Sequence, residues 1–558
     1  MLTNKRIVTP LIFILLFSLV QTVAPVTTAQ QQQSRERKVG APLVATPAPS
    51  PVASPVASPV PSPQASPAPR VATTTQTLAE LQARILDVLQ KPELAQAMVG
   101  IKVASLDTGR VIFESNANKL LRPASNMKLY TVSAALDRLS PDYRFVTSVY
   151  ARTKPDAAGT LRGDLTIYGR GDPSIAARFN SGNYFKGIDD LAARIVAAGV
   201  KRVEGDLVGD ETYFTGPQYG SGWSWEDLQW WYGAEVSALT VNDNALDLAV
   251  KPGLQVGAPA VVTTGPPDPL LRIVNKVTTT PKGTKRDLNV YRGLGSDEAE
   301  IIGFIPLEDG GYAGGIGISH PALLFVYLLR DSLARQGVII KGRTRTVPQP
   351  ISDASALPGP SASGLTELAI LQSPPFSLIA AQTLKPSQNL YTELILRTLG
   401  KVAATASASS SVDRTSESAG LEVVGKFLNE AGVNATLLSL TDGSGLSRSD
   451  MVTAEATLQL LTYMRRHRYA NAFRDALPIA GVDGTLRNRM KGTVAENNLR
   501  AKTGTLSSAS SLSGFVTTAA GEELVFSIMV NNYPGGINPP SVCIDPIAVL
   551  LASFAGKS

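Results

Sequence analysis

The chain has 558 residues, of which 44% are hydrophobic and 18% charged, and its formal net charge is +6. This length exceeds one ordinary domain, so we expect two or three. The only cysteine, Cys543, excludes an internal disulfide and a cysteine-rich zinc site, and it is expected to be a small core residue. The net charge is mild, and the sequence contains no concentrated basic motif that would bind nucleic acid.

Only two histidines are present, and this limits the chemistry of the chain. His467 lies among three arginines and is expected in a solvated basic patch, whereas His320 precedes a proline and is expected to open a helix. A Ser-His-Asp triad or a multi-histidine metal site is therefore hard to build. A general base would more readily come from lysine, and we expect no cofactor.

The N-terminus has the pattern of a secretory signal. Lys5 and Arg6 precede an apolar run at 11–20, and Thr27-Thr28-Ala29 offers small residues for cleavage after Ala29. The run is short for a membrane-spanning helix, so an uncleaved anchor is the less favoured alternative. We expect a protein secreted across the inner membrane into the periplasm or cell envelope, with at most loose membrane association.

A second N-terminal segment, 47–69, repeats Pro-Val-Ala-Ser units without charge. Such a composition cannot bury a core and is typical of an extended spacer. We therefore expect no packed domain before residue 75.

The folded part begins and ends with similar elements. Periodicity predicts a helix over 78–89, strands over 98–105 and 111–114, a helix from Pro123 to 139, strands over 509–517 and 523–531, and a last helix over 540–554. Strands at both ends indicate one sheet built from both termini.

A long interval separates the two halves of this sheet. Patterns within it predict strands over 161–168 and 202–209, a helix over 188–198 and a Trp-rich loop over 223–231. So long an interval is best explained by inserted domains. A Ser/Ala/Pro-rich segment at 354–364 is expected to return the chain to the first domain.

Three short motifs occur in order: Ser125-Asn126-Met127-Lys128, Ser387-Gln388-Asn389 and Lys502-Thr503-Gly504. They match S-x-x-K, S-x-N and K-T-G, the signature of penicillin-interacting serine acyl-transferases. Each motif alone has an ordinary explanation: a helix start, a helix cap or a basic edge strand. Their order makes the combination specific, and it predicts an acyl-enzyme.

The first motif supplies a nucleophile and a base. Ser125 and Lys128 share one helix face, and Pro123 places Ser125 near the helix N-terminus, where a developing anion is favoured. Lys128 can accept the serine proton only when it is neutral, so its pKa must be lowered by desolvation or by a neighbouring cation such as Lys502.

The other motifs handle the proton and the substrate. Ser387 can relay a proton between a lysine and the leaving amine, and the Asn389 amide can orient the substrate backbone. Lys502 and Thr503 can bind a terminal carboxylate, and Gly504 allows close approach of the strand. The N–H groups of Ser125 and Thr505 would form the oxyanion hole.

Further residues strengthen a family resemblance. Besides the three motifs, the chain contains Gly171-Asp172-Pro173-Ser174, Gly222-Trp223-Ser224-Trp225-Glu226-Asp227, an Asp-Gly-Ser-Gly-Leu-Ser-Arg run at 442–448 and Gly481-Val482-Asp483-Gly484-Thr485-Leu486. Over about 78–554 it resembles the D-alanyl-D-alanine carboxypeptidases of the class C low-molecular-mass penicillin-binding proteins, peptidase family S13.

The resemblance implies an α/β (α+β) β-lactamase/transpeptidase-like domain, with an antiparallel sheet between helices and two nested inserted domains. The expected organisation is a signal peptide at 1–29, a disordered linker at 30–74, the transpeptidase-like domain at 75–150 and 354–558, and inserted domains at 151–353, the third nested at about 240–325.

It also implies a substrate and inhibitors. The expected substrates are peptidoglycan stem peptides and cross-links. β-Lactams are expected to bind the enzyme covalently as inhibitors. The diaminopimelate side chain of a meso-diaminopimelate stem is read in relatives by an acid from the inserted domain, for which Asp227 is the candidate. Arg448, Leu506 and Ser507 match positions lining the same pocket.

Two other functions remain open at this point. One is a catalytically slow wall-binding or scaffolding protein on the same fold, and the other is a β-lactamase. Intact motifs favour the peptidase, and no dedicated water-activating residue is evident for a lactamase. The oligomeric state is not indicated.

Overall fold

The structure is a computed structural model that describes residues 77–266, 268–353, 359–361, 363–404 and 414–558. The predicted signal peptide and spacer lie outside the described residues, as does part of the predicted return segment. Within the described residues, no helix is both long and apolar enough to cross a membrane.

The elements are numbered in chain order over the described residues. The α-helices are α1 (Leu78–Leu89), α2 (Met127–Leu139), α3 (Lys186–Ala197), α4 (Pro321–Arg335), α5 (Phe376–Leu384), α6 (Asn389–Ala404), α7 (Ser416–Glu430), α8 (Ala454–Arg466), α9 (Ala470–Ala476) and α10 (Asp545–Ala552). The strands are β1 (Met98–Ser105), β2 (Val111–Ser115), β3 (Val146–Ala151), β4 (Thr160–Leu161), β5 (Leu165–Tyr168), β6 (Arg202–Val203), β7 (Leu207–Asp210), β8 (Ala245–Lys251), β9 (Val261–Gly265), β10 (Arg272–Thr280), β11 (Asp287–Tyr291), β12 (Glu298–Pro306), β13 (Tyr312–Gly317), β14 (Ile339–Ile340), β15 (Thr344–Val347), β16 (Thr366–Gln372), β17 (Arg500–Leu506), β18 (Ala509–Thr517) and β19 (Glu523–Asn531).

The main sheet contains strands from both ends of the chain. Its order is β17-β18-β19-β1-β2, and all neighbours are antiparallel. The prediction of one sheet built from both termini is therefore confirmed, and α1, β1, β18 and β19 have the predicted bounds. β17, which carries the K-T-G motif, is an edge strand.

Helices cover both faces of this sheet. Along β19, Phe526, Ile528 and Val530 pack in a core with α1 and α10, whereas Val525 and Met529 join the opposite core with α2 and α5–α9. This alternation follows from the two-residue period of a strand. The predicted fold class is confirmed, and Cys543 is fully buried in the core beneath α10.

Between the two parts of the main sheet lies an inserted region with its own core. Its largest sheet has the order β15-β7-β5-β3-β16, and α3 and α4 pack against it. Two three-stranded sheets, β13-β8-β9 and β10-β12-β11, come from 245–317 within it, and three short strands pair as β14-β6-β4.

The predicted single strands over 161–168 and 202–209 are wrong. Each is divided into two short strands that belong to different sheets. The breaks coincide because Asp164 accepts a hydrogen bond from the Asp206 backbone at 2.8 Å, and Arg345 pairs with both carboxylates. A β-carbon at Gly205 would lie 2.4 Å from the Gly163 carbonyl carbon, so the two turns touch.

The prediction for His320 is confirmed, whereas the prediction for His467 is wrong. His320 directly precedes α4 and has a left-handed backbone, as a helix-entry residue. His467 is not solvated as predicted: its side chain is only 6% exposed. It pairs with Asp137 at 3.0 Å and contacts the rings of Tyr463 and Tyr469, because the end of α2 covers it.

Candidate active site

Ser125 lies in a tight turn at the start of α2. The turn, Ala124–Asn126, is 3₁₀-helical and leads directly into the α-helix. It is fastened to β18, because Ser511 donates to the Pro123 carbonyl at 2.7 Å and the Asn126 amide donates to Ser513 at 2.7 Å. Ala124 has a φ of 48°, a strained conformation of the kind found at functional sites.

Lys128 is fully buried beside this serine. Its Nζ lies 3.0 Å from Ser125 Oγ, 2.6 Å from the Asn389 Oδ1 and 2.7 Å from the Ser444 carbonyl oxygen. Each of these neighbours can accept a hydrogen bond. The structure therefore places the first lysine within proton-transfer distance of the serine.

The S-x-N motif occupies the bend between α5 and α6. Ser387 has a φ of 64°, and Asn389 is the first residue of α6. The Asn389 amide nitrogen donates to the Tyr232 carbonyl at 2.8 Å, so its oxygen is directed at Lys128. The motif thus links Lys128 to the inserted region, which supplies Tyr232.

Lys502 approaches from β17. It is fully buried, and its Nζ donates to Ser387 Oγ and to the Thr503 carbonyl oxygen, each at 2.8 Å. Burial and the charge of Lys128 lower the pKa of Lys502 well below its usual value. All three motifs therefore meet, and the two lysines interact across the site.

Gly504, the third residue of the K-T-G motif, must be glycine because neighbouring atoms pack closely against its backbone. A β-carbon at Gly504 would lie 2.2 Å from Ser511 Oγ and 2.5 Å from the Pro123 carbonyl oxygen. Beside it, Thr503 donates to the Thr485 hydroxyl at 2.7 Å. The next residue, Thr505, is exposed on the edge strand.

The predicted side-chain pocket residues are partly brought together. Arg448 Nη1 lies 3.3 Å from Asp227 Oδ2 and also contacts Ser224. Leu506 packs with Ala124, Leu446 and Ala509, and Trp223 and Tyr232 cover this cluster. Ser507 is exposed at the end of β17.

Sequence reasoning missed several groups at the site. Ser444 accepts from Lys128 through its backbone carbonyl, and Tyr232 accepts from the Asn389 side chain through its own backbone carbonyl. No side-chain pattern reveals such contacts. Thr485 and Asp442 belong to the runs of residues that carry the family resemblance, but the sequence indicates no chemical role for either. No cluster of metal-ligating side chains occurs among the described residues.

Comparison with known proteins agrees with this geometry. Residues 81–553 match the model of the D-Ala-D-Ala carboxypeptidase 3 (S13) family. The chain belongs to this family.

Individual relatives give the same result. The chain is 34% identical over 492 residues to a D-alanyl-D-alanine carboxypeptidase from Actinomadura sp. (strain R39), covering 86% of each chain. It is 25% identical to the carboxypeptidase DacB of Haemophilus influenzae, covering 81% of this chain and 89% of the relative.

A solved structure supports the fold. Penicillin-binding protein 4 (DacB) of Haemophilus influenzae superposes with a TM-score of 0.69 at 22% identity, covering 83% of this chain and 97% of that one. The same protein in complex with a β-lactam superposes with a TM-score of 0.65 at 21% identity, covering 84% of this chain and 98% of that one.

Proposed function

We propose that this S13-family protein is a serine-type D-Ala-D-Ala carboxypeptidase and DD-endopeptidase that acts on peptidoglycan through an acyl-enzyme on Ser125. One observation carries the proposal: Ser125 Oγ lies 3.0 Å from the Nζ of a buried lysine that also donates to Asn389 Oδ1 and to the Ser444 carbonyl oxygen. Membership of the carboxypeptidase family supports the reaction class.

In the proposed acylation, neutral Lys128 takes the proton of Ser125, whose oxygen attacks the carbonyl carbon of the penultimate D-Ala. The N–H groups of Ser125 and Thr505 hold the resulting oxyanion. Collapse breaks the C–N bond, and the proton held by Lys128 reaches the leaving amine through the Ser387 hydroxyl. Water then releases the acyl group by the reverse proton path.

The proposed substrate contacts follow the motifs. Asn389 orients the peptide backbone, and Lys502 with Thr503 binds the terminal carboxylate, with Gly504 keeping the strand close. A β-lactam would acylate Ser125 in the same way, but its amine stays attached after ring opening, so the adduct persists.

The test is covalent labelling by a fluorescent penicillin, with intact mass and D-Ala release from a muropeptide as readouts. The wild type is expected to gain one adduct and release D-Ala, whereas Ser125→Ala should do neither. Ser133→Ala, at a buried serine of α2 about two turns further along, is the control and should label normally. Rapid loss of the adduct would favour a β-lactamase, and no adduct or cleavage would favour a wall-binding protein.

We propose that the side-chain pocket of Asp227, Arg448, Leu506 and Ser507 reads a meso-diaminopimelate residue. Asp227 and Arg448 present opposite charges 3.3 Å apart, which suits the amino and carboxylate groups of a zwitterionic side-chain end. Leu506 and its apolar neighbours would cover the aliphatic part of that side chain.

Asp227→Ala is expected to lower kcat/KM about tenfold or more on a muropeptide that contains meso-diaminopimelate, because one ionic contact is lost. Penicillin acylation, which lacks that side chain, should change less than about threefold. Glu226→Ala, at the neighbouring partly exposed acid, serves as control. Equal losses on penicillin and on muropeptide would show that Asp227 supports the fold rather than substrate selection.

The location and domain limits remain proposals. We propose that residues 1–29 direct secretion to the periplasm or cell envelope, that 30–74 act as a spacer, and that loose membrane association accompanies them. We also propose the predicted domain limits, with inserted domains over 151–353. A cleavage site mapped on the secreted protein, and limited proteolysis, would test these points.

A further inference from the structure

A buried carboxylate lies behind the catalytic lysine. Asp442 is fully buried and accepts six hydrogen bonds. The donors are the backbone N–H groups of Ser444 (3.1 Å), Gly445 (2.6 Å), Leu446 (3.1 Å) and Ser447 (3.0 Å), the Ser444 hydroxyl (2.9 Å) and the Trp223 indole (2.7 Å).

These bonds hold the loop at 442–448, which contacts the Ala124–Asn126 turn that carries Ser125. A β-carbon at Gly445, whose φ is 77°, would lie 1.8 Å from the Ala124 carbonyl oxygen, so the loop backbone packs directly beside Ser125. The Ser444 carbonyl, in the same loop, is 2.7 Å from Lys128 Nζ. Asp442 itself does not touch Ser125 or Lys128 by any hydrogen bond described above.

The Ser444 carbonyl restricts how the neutral amine of Lys128 can be oriented. Neutral Lys128 has two N–H donors and one lone pair. If the donors are taken by Asn389 Oδ1 and the Ser444 carbonyl, the lone pair is left directed at the third neighbour, Ser125 Oγ. A displaced Ser444 carbonyl would let the amine turn, and the lone pair would no longer meet the serine proton.

We propose that Asp442 is a positioning residue for acylation, which fixes the Ser444 carbonyl and thereby aims the lone pair of Lys128 at Ser125. The inference rests on the proposed function, since it assigns Lys128 as the base. Through the Trp223 indole, the same carboxylate also ties the Trp-rich segment of the inserted region to this loop.

Other acids surround Asp442 and supply a control. Glu393, on α6, accepts from the Gly443 N–H at 3.1 Å, and Asp450 accepts from the Thr441 N–H at 2.6 Å. Burial, and then the charge of Asp442, raise the pKa of both carboxyls well above their usual values. Because the raised pKa favours neutral Asp450, Asp450→Asn should remove less negative charge than Asp442→Asn. It keeps an oxygen for the Thr441 and Asp442 N–H groups and leaves the six bonds to the Asp442 carboxylate in place.

The experiment measures the second-order rate constant of penicillin acylation against pH for the wild type, Asp442→Asn, Asp442→Glu and Asp450→Asn. Asp442→Asn presents an NH₂ to N–H donors, so acylation should fall about 30-fold or more. The acidic limb of its pH–rate profile should move to lower pH, because Asp442→Asn removes a negative charge that favours protonated Lys128. Asp442→Glu keeps the charge but displaces the loop, so the rate should fall about tenfold with the limb unmoved.

Asp450→Asn should stay within about threefold of the wild type, with a smaller shift of the acidic limb than Asp442→Asn, even if it unfolds at lower temperature. Either Asp442 variant alone suffices if the other does not fold. Acylation within threefold of the wild type by every Asp442 variant that folds would overturn the proposal. If the wild type itself is not acylated, the proposed function fails, and a crystal structure of Asp442→Asn decides this inference: an unmoved Ser444 carbonyl at Lys128 would refute it.

Discussion

Replacing Lys128 with methionine is expected to slow penicillin acylation on the order of 10²- to 10⁴-fold, the usual contribution of a general base. Methionine has a similar length but cannot accept the Ser125 proton. The side chain is fully buried, and methionine fills such space readily. The folded state should therefore survive, so the loss should appear in the rate rather than in protein yield.

The measurement is the acylation rate with a fluorescent penicillin, beside a thermal unfolding curve. Lys401→Met is the control. Lys401 is partly buried, and burial lowers its pKa, but it lies in the last turn of α6, away from Asn389. The control should acylate at the wild-type rate. A Lys128→Met protein that acylates within tenfold of the wild type would require another base.

Gly504→Ala is expected to lower acylation about 100-fold and to destabilise the fold by about 1–3 kcal/mol, as overpacking in a tight interior does. The added β-carbon would lie 2.5 Å from the Pro123 carbonyl oxygen and 3.1 Å from the Ala124 β-carbon. These residues precede Ser125, and a shift of about 1 Å in a reacting group can cost about 10²-fold in rate.

Gly310→Ala provides the comparison, since its β-carbon would meet no heavy atom within 4 Å. It should change neither the acylation rate nor the unfolding midpoint by much. Both readouts are needed for Gly504→Ala. A variant as active and as stable as the wild type would mean that β17 can move away from the Ala124–Asn126 turn without loss of activity or stability.

Local patterns predicted much of the main domain. The helix 78–89 and the strands 98–105, 509–517 and 523–531 have matching bounds, because each alternates or repeats with the period of its own element. The inserted region was less predictable. There, Asp164 and Asp206 end their strands through contacts with each other and with Arg345, which is distant in the sequence.

The same division applies to buried polar residues. His467 follows two exposed arginines in the sequence, and charge density alone predicts a solvated side chain. It is instead buried against Asp137, more than 300 residues earlier in the chain. No local pattern records which distant element covers a residue.

By itself, the sequence determined which residue types are available for the proposed chemistry: a serine three residues before a lysine, a second serine with an asparagine, and a lysine on a glycine-bearing strand. These are local patterns, whose spacing follows from one turn of helix or one strand. Only the tertiary structure decided how Lys128 is oriented, because its partners at Asn389 and Ser444 come from remote segments, one of them through a backbone carbonyl. Orientation depends on contacts across the fold, and such contacts are set by packing rather than by neighbouring residues.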